Sequence, residues 1–368
     1  MKTNIILTGG HAATTAISVI EEIKKTNNDY NLFWIGPKSA VEGKFMPTLA
    51  SQIMPSLGVK FIPISTGRLQ RKFTIWTIPS LFKIPYGIIQ SFSILIKIKP
   101  SLILSFGGYA SVPVCFAAWV LQIPVIIHEQ TAGVGLANQI TAFFARNILI
   151  ARVDSRKYFN KNKTILIGNP VSAEILKIKP KLKLAIRPTI YITGGSNGAQ
   201  RINNAVSEIL YDLLREYKII HQTGKLDYES FKAKRDNFPS DLKKNYEVYD
   251  FLPPKDVIKI FSLADIIVSR GGANTLSEIS VTKRPAIIIP IPWTSHDEQT
   301  KNARLLAETG IAVVLEEKDL KPESLLESIK IVIKNWDKMV SKSDNSLANL
   351  DRSAAKKFVD EMESLIEI

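Results

Sequence analysis

The sequence predicts two doubly wound α/β domains in tandem. The chain has 368 residues, about twice the usual single-domain length. Short β-branched runs alternate with amphipathic helical stretches from one end to the other. That alternation restarts after a basic, proline-punctuated stretch at 177–188, which places the domain boundary within 165–180. The expected domains are 1–165 and 166–349; a C-terminal helix in 350–368 has no strand partner and is free to pack against either domain, the first included.

Strands are expected in the first half at 4–8, 31–35, 60–63, 102–105, 124–127 and 148–150, with helices at 12–25 and 111–121. In the second half the expected strands are 189–193, 218–222, 246–249, 266–269, 286–289 and 311–314. Helices are expected between them at 199–215, 255–262, 274–281 and 298–308. Near-continuous apolar strands are those of a parallel sheet covered on both faces. The most apolar stretch, 112–127, contains Pro113, Gln122 and Pro124 and reads as a helix followed by a buried strand. It is too short and too interrupted to span a membrane, and the N-terminal apolar run is too short for a signal peptide.

Composition narrows the function. A single cysteine, Cys115, excludes a disulfide framework and a multi-cysteine metal site. The four histidines, His11, His128, His221 and His296, form no ligand pair at metal-binding spacing, so no metal is expected. The net charge of +14 is lopsided: residues 1–160 hold 16 Lys/Arg against 6 Asp/Glu. The first half should therefore face a polyanion or an anionic membrane. No nucleic-acid-binding module accompanies that charge, so nucleic acid is set aside as a partner. Within 67–99, Lys72 and Lys83 lie among Phe73, Ile75, Trp76, Leu81 and Phe82. Basic and aromatic residues so interleaved suit a surface resting on an anionic bilayer.

Ligands of open α/β sheets bind beyond the carboxyl ends of the strands, and tandem domains place those ends at a cleft. Six such strand ends carry glycine or polar turns. Thr8, Gly9, Gly10 and His11 follow the first strand, where a neutral imidazole beside a helix N-terminus would act as a general base or merely cap the turn. Gly194, Gly195 and Ser196 open a helix and offer N–H groups and a hydroxyl to a phosphate; the pattern is neither a dinucleotide nor a P-loop fingerprint. At 270–278, Thr275 and Glu278 have the spacing of a capping box, while a carboxylate at Glu278 would alternatively hold ribose hydroxyls. Arg270 would bind phosphate or brace the loop. His296, Asp297, Glu298 and Gln299 supply hydrogen-bonding groups before another helix. Gly107, Gly108 and Tyr109, and then His128 and Glu129, follow strands of the first half. No Asp-x-Asp pair occurs, which favours a leaving diphosphate held by helix N-termini and basic groups.

In order along the chain stand TGGH at 8–11, GGYAS at 107–111, IPVIIHEQ at 123–130, GNPV at 168–171, GGSNGA at 194–199, RGGANTLSEI at 270–279 and DEQTKNA at 297–303. Over almost its whole length the chain resembles the MurG family of bacterial peptidoglycan N-acetylglucosaminyltransferases. The resemblance implies a GT-B fold of two Rossmann-like domains. It implies metal-independent, inverting transfer of GlcNAc from UDP-GlcNAc to undecaprenyl-diphospho-MurNAc-pentapeptide (lipid I), giving lipid II, with no cofactor. It places the protein peripherally on the cytoplasmic face of the inner membrane, with cell-wall synthesis proteins as candidate partners.

On matching positions the resemblance makes His11 the general base, with Glu129 at the catalytic centre. Thr8, Gly9, Gly10, Gly108, Tyr109, His128 and Asn138 line the acceptor side. Gly194, Gly195 and Ser196 would meet the diphosphate, Leu252 the uracil and Glu278 the ribose. Arg270, Ala273, Asn274, Thr275 and Gln299 would surround the phosphates and GlcNAc. The chain departs from the family pattern at Leu7, at 12–15 after GGH, at Ser172 after GNPV, and at Asn197 within GGSNGA. A GT-B transferase with another lipid acceptor, such as diacylglycerol, is the alternative; the GGYAS and HEQ blocks argue against it.

Overall fold

The computed structural model describes residues 2–10, 13–26, 29–41, 44–67, 77–195 and 198–366. The chain divides into two compact units, Met1–Ser172 with Ser353–Ile368, and Ala173–Arg352.

The first unit contains β1 (Thr3–Thr8), α1 (Ala13–Ile23), β2 (Tyr30–Gly36), β3 (Ser39–Val41), β4 (Lys44–Pro47), α2 (Leu49–Ile53) and β5 (Lys60–Pro63). There follow α3 (Thr77–Ile98), β6 (Leu102–Ser105), α4 (Ser111–Val120), β7 (Val125–Glu129), α5 (Leu136–Phe144), β8 (Asn147–Ile150) and β9 (Thr164–Leu166). Seven strands form a parallel sheet in the order β5-β2-β1-β6-β7-β8-β9, and β3 and β4 pair antiparallel apart from it. Side chains of β1 alternate between two cores: Ile5 and Leu7 face α1, while Ile6 faces α4. Both faces are buried, which is why this strand reads as unbroken apolar sequence rather than as an alternation.

The second unit contains α6 (Ala173–Leu176), β10 (Thr189–Thr193), α7 (Gln200–Glu216), β11 (Lys218–Gln222), α8 (Tyr228–Asp236), α9 (Ser240–Lys243), β12 (Tyr246–Tyr249) and α10 (Pro254–Leu263). It continues through β13 (Ile266–Ser269), α11 (Ala273–Thr282), β14 (Ala286–Ile288), α12 (Glu298–Glu308), β15 (Ala312–Val314), α13 (Pro322–Lys334), α14 (Trp336–Lys342) and α15 (Ser346–Arg352). Its six-stranded parallel sheet runs β12-β11-β10-β13-β14-β15. The last helix, α16 (Ala354–Ile366), belongs to the first unit: it packs on α1 and puts Phe358, Val359 and Met362 into that core.

The expected strands and helices coincide with these elements, their ends shifted by one or two residues. β9 carries the first unit past position 165, and the 177–188 stretch belongs wholly to the second. It is pinned there by Lys181 Nζ on Asp265 Oδ1 at 2.7 Å and by Arg284 Nη2 donating to the Lys179 carbonyl at 3.2 Å. The expected C-terminal helix is broken at Ser353, because α15 packs on α11 of one unit and α16 on α1 of the other. Among the described residues no helix is long and apolar enough to cross a membrane.

Both sheets change direction of winding at one place, between β1 and β6 and between β10 and β13. At such a switch the connections leave towards opposite faces, and a crevice opens beyond the carboxyl ends. Thr8 pairs in register with Ser105, and Thr193 with Ser269. The glycine turns at 9–10 and 107–108 therefore flank one switch, and those at 194–195 and 271–272 flank the other.

Candidate active site

In the first unit the two turns interlock through their backbones. The Gly10 N–H donates to the Gly107 carbonyl at 2.9 Å. Gly107 and Gly108 have φ of +79° and +90°, in the region that glycine adopts without strain. A Cβ on Gly107 would lie 2.8 Å from Asn138 Oδ1, so glycine there lets the Asn138 amide come close. Asn138, in the first turn of α5, donates through Nδ2 to the His128 carbonyl at 3.1 Å and to Glu129 Oε2 at 2.9 Å. Among the described residues its Oδ1 is buried without a hydrogen bond, as is Thr8 Oγ1 at the end of β1. Tyr109 packs half-buried against the α4 side of the core.

Two residues expected here take other parts. Glu129 is 4% exposed, and both of its oxygens are occupied. Oε1 accepts from the Thr131 N–H at 3.0 Å and the Thr131 hydroxyl at 2.7 Å, and Oε2 from Asn138 and, at 3.3 Å, the Gly135 N–H. Burial raises its pKa and those hydrogen bonds lower it. With both oxygens so occupied, the carboxyl ties the 129–135 loop to the first turn of α5. His128 is wholly buried, packed against Phe106 and Phe358 with Nε2 at 3.0 Å from the Gly168 carbonyl, so it supports the site from below. His11 lies outside the described residues, and so does Ser196.

In the second unit α7 and α11 begin without any side-chain cap among the described residues. Their first intrahelical bonds are Asn203 N–H to Ala199 O and Leu276 N–H to Gly272 O. The amides of Gln200 to Ile202, and of Ala273, Asn274 and Thr275, precede those bonds. Two helices that follow adjacent strands thus begin at the same edge of the sheet, and their N-terminal amides suit an anion there. A Cβ on Gly195 or Gly272 would meet nothing within 4 Å among the described residues, so the turns are open there. Gly194 and Gly198 are closed in, a Cβ on Gly198 falling 2.0 Å from the Thr223 carbonyl oxygen. The Thr193 hydroxyl ties the turn, accepting from the Gly195 N–H at 3.0 Å and reaching Gln222 Oε1 at 3.1 Å.

The capping box is not formed: Gly272 is the N-cap of α11, and Thr275 lies within the helix. Glu278 is half-buried, with no hydrogen bond or ion pair to its carboxylate among the described residues, and burial pushes its pKa up to about 8. Leu252 is buried, while its backbone N–H and C=O take no hydrogen bond among the described residues. Gln299 joins the two neighbouring loops, its Oε1 accepting from Gly271 N–H at 3.2 Å and Ile291 N–H at 3.1 Å. His296 and Asp297, just before it, adopt left-handed φ of 49° and 57°. Arg270 is turned inward, onto the Ile289 carbonyl at 3.1 Å and Glu317, so of its two expected parts the geometry gives it the bracing one. A buried guanidinium is costly unless paired, and Glu317 provides the pair. His221 is buried between Asn203 and Tyr246 and its pKa falls to about 3, so it stays a neutral structural link.

Lys72, Phe73, Ile75 and Trp76 lie outside the described residues, as do the side chains of Leu81 and Phe82; Lys83 is exposed on α3. The structure adds an apolar surface that the sequence did not single out. Tyr86, Ile89 and Ile96 of α3, Trp119 of α4 and Phe143 of α5 are all exposed, Phe143 to 73%. Trp119 and Phe143 rest on Phe116 and Phe144 and line a depression of about 890 Å³ with Arg146 and Lys163 at its rim. No sequence period could reveal the Trp119–Phe143 face, because two helices contribute it.

Comparison with known proteins bears on both units. Residues 6–150 match the glycosyltransferase family 28 N-terminal domain and residues 189–362 the glycosyltransferase family 28 C-terminal domain. A UDP-N-acetylglucosamine--N-acetylmuramyl-(pentapeptide) pyrophosphoryl-undecaprenol N-acetylglucosamine transferase of Borreliella burgdorferi is 34% identical, covering 92% of this chain and 89% of its own. The protein of that name from Clostridium novyi is 31% identical, covering 100% of this chain and 98% of its own. The crystal structure of Acinetobacter baumannii MurG superposes with a TM-score of 0.70 at 23% identity, covering 98% of this chain and 99% of that one, and shares the GT-B fold.

Proposed function

The chain belongs to glycosyltransferase family 28, and from that premise we infer that it is an N-acetylglucosaminyltransferase of the MurG kind. It moves GlcNAc from UDP-GlcNAc to the C4 hydroxyl of MurNAc in lipid I, forming lipid II for peptidoglycan. The observation that carries this is full-length identity above 30% to transferases of that name.

The second unit takes the donor. The amides opening α7 and α11 receive the diphosphate, with Gly194 and Gly195 admitting it closely and Ser196 adding its hydroxyl. Glu278 accepts the ribose hydroxyls, and the backbone of Leu252 pairs with the uracil edge. Gln299 fixes the loop beside the GlcNAc. In the reaction the C4 hydroxyl attacks C1 from the side opposite UDP. The C1–O bond to the diphosphate breaks as the new bond forms, the configuration inverts, and the base takes the hydroxyl proton. Charge accumulates on the departing diphosphate, where the two helix ends stabilise it most. His11 is the base on this reading. The turns at Thr8–Gly10 and Gly107–Tyr109, with Asn138, form the acceptor side, and Glu129 and His128 hold them in place.

The basic, aromatic segment around Lys72–Lys83 and the exposed aromatics of α4 and α5 rest on the anionic cytoplasmic face of the inner membrane, where the lipid-linked acceptor is found. No metal is required, since helix ends do the work that a cation does elsewhere.

The test is transfer of labelled GlcNAc to a lipid I analogue, with EDTA present and diacylglycerol as a parallel acceptor. Transfer to the analogue that is indifferent to EDTA supports the whole reading. Transfer to diacylglycerol alone moves the protein to the other acceptor class. His11→Ala should abolish turnover and keep UDP affinity; weaker UDP binding with normal turnover removes His11 from the base role.

A further inference from the structure

At the carboxyl edge of the second sheet three segments converge on one carboxylate. Glu317 follows β15, and its side chain has no exposed surface. Its Oε1 accepts from Arg201 Nη1 at 2.9 Å, and its Oε2 pairs with Arg270 Nη1. Arg201 stands in the first turn of α7 and Arg270 opens the glycine turn before α11. One buried acid therefore grips the start of both helices whose N-termini form the anion site.

Stability alone gives little reason for this arrangement. A buried carboxylate loses its hydration, and a buried ion pair returns that cost only with good geometry. The Arg201 side chain is 62% exposed and water would solvate it freely, yet it is held. Two arginines on one carboxylate also leave one net positive charge at this edge, beside two positive helix ends.

We propose that Glu317 is a positioning residue of the donor site, setting the N-terminus of α7 against the glycine turn of α11 at the spacing a nucleotide pyrophosphate bridges. The proposal rests on the reading that the second unit binds UDP-GlcNAc. Its sign is distinctive. Glu317 is itself negative, so on charge alone its neutralisation would tighten the binding of an anion. A positioning role demands the reverse.

The experiment is calorimetric binding of UDP to the full chain, with KM and kcat measured alongside. Wild type that fails to bind UDP sinks the reading of the second unit itself. With wild type binding, Glu317→Gln should weaken UDP by about tenfold and raise the KM for UDP-GlcNAc in proportion. The acceptor KM should stay within about twofold, and the thermal midpoint should not account for the loss. Unchanged or tighter UDP binding overturns the proposal. Arg201→Ala, at an exposed side chain, keeps the test open should Glu317→Gln fail to fold: it should weaken UDP by about threefold, and no effect counts against the clamp. In the double variant the two effects should not add. Full additivity would mean that Arg201 acts without Glu317 and would overturn the proposal as well.

Discussion

A Cβ placed on Gly108 would lie 2.7 Å from the Gly10 amide nitrogen and 2.8 Å from its Cα. The turns that end β1 and β6 thus touch backbone to backbone, and neither tolerates a side chain between them. Gly108→Ala adds a methyl group at φ +90° against that contact. It should cost about 1–3 kcal/mol of stability and raise the KM for the lipid acceptor. Thermal unfolding and acceptor kinetics check both, and an unshifted midpoint would refute the close approach.

Glu129→Ala removes the acceptor of four hydrogen bonds and leaves Asn138, Gly135 and Thr131 donors without it. The expected loss is about 3 kcal/mol. UDP affinity should be unchanged in the folded protein, because every partner of Glu129 belongs to the first unit. A variant of full stability with no turnover would instead return Glu129 to chemistry.

Glu278 makes donor binding depend on pH. With its pKa at about 8 it is largely protonated at neutrality, and the ionised form is the stronger acceptor for ribose hydroxyls. UDP affinity should therefore rise between pH 7 and 9, and Glu278→Gln should flatten that rise. Stability runs the other way. The folded-state pKa lies above the ordinary 4.5, so the contribution of Glu278 is complete below about 4.5 and is lost as pH climbs through 8. Glu278→Gln should be more stable than wild type at pH 9, which a pH series of denaturant melts measures.

Trp119 and Phe143 project from α4 and α5 on one face with Arg146 and Lys163. Replacing both aromatics by serine should reduce binding to anionic vesicles about tenfold and spare transfer to a soluble, short-chain acceptor. Added salt should weaken wild-type vesicle binding as well, through the basic rim. Equal sedimentation of variant and wild type would remove this face from membrane contact.

Much of this was legible in the chain as written. Apolar runs such as Ile5–Leu7 and Ile266–Val268 declare buried parallel strands, because a strand covered on both faces has no polar side to show. Glycines at 9–10, 107–108, 194–195 and 271–272 declare turns at strand ends, because only glycine meets the positive φ or the close backbone approach found at several of them. The residue types of the site, and the family they resemble, came with those turns.

What each side chain touches was decided by tertiary packing. The sequence shows His128 and Glu129 side by side, but alternation along β7 sends the first under Phe358 and the second into its own loop. Arg270 looked ready for a phosphate until Glu317, 47 positions later, captured it. Trp119 of α4 and Phe143 of α5 share one exposed face only because those helices lie side by side. Periodicity and turn chemistry act over a few residues and can be read locally. Burial and ion pairing depend on which distant residues share a space, and no local pattern records that.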